Sequence, residues 1–118
     1  MATTPRLLSG STNGRGIVIQ STTAASGTVI HTAVTAGTVT TFDEVYVQAV
    51  NLTTTSKKLI LNAGGLVSGD RIQMNLPSAS NGLFLLVPGN RYNGGVVIRA
   101  YATVAGKVAV HGYCNRTV

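Results

Sequence analysis

From Arg71 to Leu76 every second residue is apolar: Ile72, Met74 and Leu76 alternate with Arg71, Gln73 and Asn75, and Pro77 ends the run. A period of two sends alternate side chains to opposite faces of an extended strand. Similar short runs recur along the chain, rich in Val, Ile, Thr and Tyr and separated by Gly, Asn, Ser and Pro. Those are strand and turn residues, and no window keeps a helical period. Strands are expected at 16–21, 28–34, 38–41, 43–52, 57–63, 70–76, 83–87, 96–102 and 108–114, with no long helix.

Seven to nine short strands in a chain of 118 residues predict one all-β domain. That domain is a single β-sandwich over residues 15–118, with jelly-roll-like or immunoglobulin-like connections. Residues 1–14 carry Pro5, Gly10, Asn13 and Gly14 around one apolar pair, Leu7-Leu8. They are expected to form an extended N-terminal arm, mobile unless a neighbour holds it.

Parity then predicts pairing. Val45, Val47 and Ala49 share one face of their strand, and Leu59, Leu61 and Ala63 share one face of the next. A hairpin across 53–56 would bring all six into one layer. Residues 83–87 show no alternation, which predicts a strand buried on both faces, ended by Pro88-Gly89. Val96, Ile98, Ala100 and Ala102 form one face of the next strand, and Val108, Val110, Gly112 and Cys114 one face of the last. A three-residue loop, 104–106, keeps these faces together, with Gly106 at the left-handed position. In that register Arg99, Tyr101, His111 and Tyr113 gather on the side away from the core. They are the candidate protein interface, joined by Arg6, Leu7 and Leu8 of the arm.

Composition narrows the function. Charged residues are only 10% of the chain, yet the net charge is +6. Ser, Thr and Gly replace the missing charge, which suits a surface packed against neighbours, where each desolvated ion is costly. The positive field favours an anionic partner. No apolar run reaches the roughly 20 residues of a membrane helix, and the first residues lack the apolar core of a signal peptide. Synthesis in a cytoplasm and no membrane partner are therefore expected.

Catalytic patterns are weak. The acids are Asp43, Glu44 and Asp70, and the first two are adjacent, so a strand points them apart; a glycosidase needs two opposed carboxylates. No G-x-S-x-G elbow marks a nucleophile. His31 and His111 are expected to face solvent or a neighbour, and the lone Cys114 to be a small buried apolar residue. Two His and one Cys lack metal-ligand spacing. Gly64-Gly65 and Gly94-Gly95 are not phosphate loops, because a strand rather than a helix follows Gly95. Neither an enzyme, a metal nor a cofactor is expected. The basic and aromatic mixture at Arg99 and Tyr101 also fits single-stranded nucleic acid, but aromatic residues are only 5%, and a protein interface uses the same residue types.

From Glu44 onward the order of motifs resembles small structural proteins of tailed-phage virions. The residues that carry it are EVYVQAVNLTTTSKKLILNAGG, then GLFLLVPGNRYNGGVVIRAYA, then VAVHGYCNRTV. The resemblance covers about the last two thirds of the chain and contains no catalytic signature. It implies a head decoration (cement) protein on the capsid surface, a homo-oligomer with a trimer favoured, whose partner is the major capsid protein or another virion protein. Two alternatives stand beside it: a tail or head-fibre module that binds a host glycan or protein, and a basic nucleic-acid-binding sandwich.

Overall fold

The computed structural model describes residues 2–78 and 82–118. Among these residues nine strands are laid down in chain order: β1 Thr3–Leu7, β2 Ile17–Val18, β3 Thr28–Thr32, β4 Phe42–Asn51, β5 Lys57–Ala63, β6 Arg71–Leu76, β7 Phe84–Tyr92, β8 Val97–Ala102 and β9 Val108–Thr117. They build two antiparallel sheets packed face to face, a single β-sandwich. One sheet runs β1-β9-β4-β7, with β2 pairing β9 beyond β1; the other runs β3-β8-β5-β6.

The pairings are nested. β1 and β2 pair with β9, β3 with β8, β4 with β7, and β5 with β6. The chain is thus one long hairpin, rolled up so that β4 also pairs β9 and β5 also pairs β8. This is jelly-roll connectivity, the first of the two expected topologies. From β2 onward only the β5–β6 connection stays within one sheet.

That wrapping corrects both expected hairpins. β4 and β5 lie in opposite sheets, as do β8 and β9. The apolar faces still meet, but across the sandwich rather than side by side. Val45, Val47, Ala49, Val108, Val110 and Cys114 of the first sheet are buried against Leu59, Leu61, Ile98, Ala100 and Ala102 of the second. Each large aliphatic side chain so buried contributes roughly 1.5–3 kcal/mol. Asn51 shapes the β4–β5 arch. Its Nδ2 donates to the carbonyls of Thr55 (2.7 Å) and Leu76 (3.1 Å), and its Oδ1 accepts from the Thr53 amide and hydroxyl.

Three local readings also change. Residues 38–41 form a bend and turn instead of a strand, with the Thr41 amide donating to the Thr38 carbonyl. Residues 83–87 are not doubly buried. β7 is the edge of its sheet, Val87 is in the core, and Leu83 and Leu85 are exposed. Pro88-Gly89 lies inside β7 rather than ending it. Tyr46 is opposite Pro88 and Val45 opposite Asn90, so Gly89 is an extra residue, a bulge. Its φ of 100° favours glycine, and a Cβ there would lie 3.0 Å from the Tyr46 hydroxyl. Pro88 is tolerated because an edge strand has one side free of ladder bonds.

Residues 2–14 of the expected arm are built into the sandwich. β1 pairs Leu7 with Tyr113 and Thr3 with Thr117, and all five β1 residues are exposed. Leu8 is buried in the core. The Ser9 amide donates to His31 Nδ1 (3.0 Å), and the Thr32 amide donates to Ser9 Oγ (2.7 Å). An intramolecular strand thus holds the segment for which a neighbour was expected.

Candidate functional site

The outer face of the β1-β9-β4-β7 sheet follows from parity. Since Val45, Val47 and Ala49 point inward, Glu44, Tyr46 and Gln48 point outward. Cross-strand register lines them up with β1, β9 and β7. One row spans all four strands: Leu7, Tyr113, Tyr46, Pro88. A second row places His111 beside Gln48 and Gln48 beside Leu85. Leu7 is 57% exposed, Leu85 51% and Tyr113 46%. Single exposed apolar residues need no explanation, but a contiguous group on one sheet face marks an interaction surface.

The aromatic centre is fixed. The Tyr46 and Tyr113 rings stack with centroids 4.9 Å apart and planes 13° apart. The Tyr46 hydroxyl donates to Glu44 Oε1 at 2.7 Å, and Arg91 Nε meets Glu44 Oε2 at 3.3 Å. Arg91 in turn lies over the Phe42 ring, 4.7 Å from its centroid. The hydrogen bond from Tyr46, then that from Arg91 with its charge, holds the Glu44 carboxyl below its ordinary value in spite of some desolvation. The same bond pushes the Tyr46 phenol up. Glu44 and Arg91, opposite each other in the adjoining row, therefore neutralise each other beside an uncharged aromatic strip.

Behind this face lies a buried polar cluster. Asp43 has the parity of Val45 and so points inward at the start of β4. Arg116 Nε donates to Asp43 Oδ1 (2.7 Å), and Arg116 Nη2 (2.9 Å), His31 Nε2 (2.8 Å) and the Val34 amide (3.1 Å) reach Oδ2. Because Nδ1 of His31 accepts from Ser9, Nε2 carries the hydrogen given to Asp43. Burial disfavours the Asp43 carboxylate, but the hydrogen bonds from Arg116 and His31 outweigh it and hold the carboxyl below its ordinary value. Burial pushes the Cys114 thiol up to about 11.

Ligand-type atoms of His31, Asp43 and Cys114 all lie within 4.8 Å of one another. Their surroundings argue for a structural cluster. Both His31 nitrogens are engaged, Asp43 accepts four hydrogen bonds, and Cys114 is a neutral buried thiol. A thiol nucleophile needs the opposite environment, electropositive and partly exposed. The cluster ties β3, β4, β9 and the N-terminal segment together. His31, expected at the surface, is buried, because its bulge-shifted register in β3 turns it inward opposite Ile98.

The sequence-predicted interface residues separate. Leu7, His111 and Tyr113 share the outer face just described. Leu8 belongs to the core, and Arg6 is exposed on β1 opposite Cys114. Arg99 and Tyr101 lie on the outer face of the other sheet, opposite Asn62 and Ile60. The expected cluster of four is therefore split across the sandwich, because β8 and β9 belong to different sheets. Tyr46, Pro88 and Leu85 are not among the interface residues expected from the sequence, although the parity of β4 turns Tyr46 away from its core face.

Comparison with protein-family models, curated proteins and solved structures finds no match.

Proposed function

We propose that the protein is a non-enzymatic structural component of a tailed-phage virion, a head decoration protein that stabilises the capsid by bridging its subunits. It docks through the outer face of the β1-β9-β4-β7 sheet. The observation that carries the reading is the uncharged outer-face row Leu7–Tyr113–Tyr46–Pro88, in which the half-buried Tyr46 ring stacks on the exposed Tyr113. Tyrosine on a preformed sheet supplies large contact area at little entropic cost, and is enriched where interfaces bind most strongly. Motif order from Glu44 onward supports the virion assignment. Jelly-roll sandwiches also serve as viral capsid and lectin domains, which is support by fold analogy alone.

The partner is the major capsid protein or another virion protein, engaged by a homo-oligomer, with a trimer favoured. Net charge of +6 steers the chain toward an acidic exterior before the neutral strip seats. Cryo-EM of the particle tests this. Density for the sandwich at three-fold or quasi-three-fold positions, with Tyr113 facing the capsid, is the expected result. Absence of the chain from purified virions contradicts it.

A further inference from the structure

The two glycine pairs that fit no phosphate loop come together on the opposite side of the molecule. Gly64-Gly65 follows β5 and Gly94-Gly95 precedes β8, and both line one groove of about 580 Å³ with Asn62, Val97 and Arg99. That size falls in the range of small-molecule sites, roughly 300–1,000 Å³. The walls are preformed. Gly94 and Gly95, at φ 64° and 73°, make a turn closed by the Val96 amide on the Asn93 carbonyl (3.2 Å). Their amides donate to Ala36 and Val34, and the Gly64 amide donates to Val97. A Cβ at Gly94 or Gly95 would meet nothing within 4 Å, so the glycines leave open space where side chains would stand.

The floor is chemically unusual. Asn62 is only 4% exposed, yet among the described residues its carboxamide has no hydrogen-bond partner. None of its polar atoms is sealed from solvent, so what access they have is by way of the groove they line. A carboxamide that lines a groove and has no protein partner keeps both its donors and its acceptor free for a ligand. Beside it across the strand pair stands Arg99, exposed and in no ion pair among the described residues. Asp70 stands near the Gly65 rim, its Oδ2 3.0 Å from where a Gly65 Cβ would sit, and it too is in no ion pair among them.

We infer that this groove binds an acidic saccharide unit, a sugar ring bearing a carboxylate. The Arg99 fork matches the carboxylate in two parallel hydrogen bonds. The Asn62 carboxamide both donates to and accepts from ring hydroxyls, and Val97 offers an apolar wall to the C–H face. This site is independent of the docking face, which lies on the other sheet.

The test is an NMR titration of the ¹⁵N-labelled chain with sodium glucuronate, glucose and inorganic phosphate. Glucuronate should shift the amides of Gly64, Gly65, Gly94, Gly95 and Val97 saturably and leave Tyr113 unmoved. Glucose and phosphate should each bind at least about tenfold more weakly, since each lacks one half of the recognition. Arg99→Gln, a surface change, should weaken glucuronate binding by about tenfold or more. No saturable shift with glucuronate overturns the inference, as does unchanged affinity in Arg99→Gln. Phosphate binding as tightly as glucuronate overturns the saccharide assignment.

Discussion

Tyr46 of β4 and Tyr113 of β9 stack 4.9 Å apart on neighbouring strands, and the Tyr46 hydroxyl is simultaneously committed to Glu44. The hydroxyl orients one ring, the stack orients the other, and Leu7 flanks the second on β1. Tyr46→Phe removes the bond to Glu44 and keeps the ring. The Glu44 carboxyl, held down first by that bond, should then titrate closer to its ordinary value of 4.5. A carbon-detected NMR titration of Glu44 in the two proteins measures this, and an unchanged Glu44 would mean that Arg91 alone sets it.

Leu85 carries the clearest reversal. A strand buried on both faces would not survive a charge at its centre, but Leu85 sits 51% exposed on an edge strand. Leu85→Asp should therefore fold, with a stability change of about 0.5 kcal/mol or less. Urea denaturation followed by circular dichroism measures it, and an unfolded variant would place Leu85 in the core.

The Asp43 cluster predicts a large loss and an acid limit. Asp43→Ala strands the Arg116 guanidinium and His31 beside an apolar core and should cost about 3–5 kcal/mol. The pH effect has a definite sign. A carboxyl whose folded pKa lies below its ordinary value of 3.8 contributes stability that is complete above the unfolded value. That contribution fades as pH falls through the lower, folded value. Denaturation midpoints of the native chain should be flat with respect to this group near neutrality and decline below about pH 4. A Asp43→Ala chain should lack that part of the decline.

Cys114 is predicted to be silent. It is fully buried and its thiol is pushed up to about 11, so the reactive thiolate is scarce at neutral pH. Labelling by a thiol reagent should proceed only as fast as the chain opens, and should accelerate with denaturant in step with unfolding. Rapid stoichiometric labelling of the folded protein would contradict the buried placement.

Alternation made the strands legible and left their partners open. β5 is read at its observed bounds, and β6 within one residue, because Leu59 and Leu61, and Ile72, Met74 and Leu76, keep strict phase with the core. The same parity is satisfied whether two apolar faces sit side by side in one sheet or across the sandwich. That degeneracy is why the parity of β8 and β9 fits a hairpin across 104–106, while Ala100 is found beside Thr28 and Leu61. It also divided the expected Arg99, Tyr101, His111 and Tyr113 cluster between two surfaces. The inward Asp43 was readable from its parity with Val45. Its partners Arg116 and His31 were not, since they come from strands 73 and 12 positions away with nothing local to link them. Gly89 reads as a chain break by composition but serves as a bulge, a role set by the β4–β7 register, which the local sequence does not carry.

On the proposed function, the Tyr113 face grips the particle. The direct measurement is re-binding of purified chain to virions stripped of it, comparing the native protein with Tyr113→Lys and Arg99→Gln. Native protein and Arg99→Gln should re-bind alike, while Tyr113→Lys, folded by circular dichroism, should lose about 2 kcal/mol or more of affinity, roughly thirtyfold. Tyr113→Lys binding as tightly as the native chain would contradict the account.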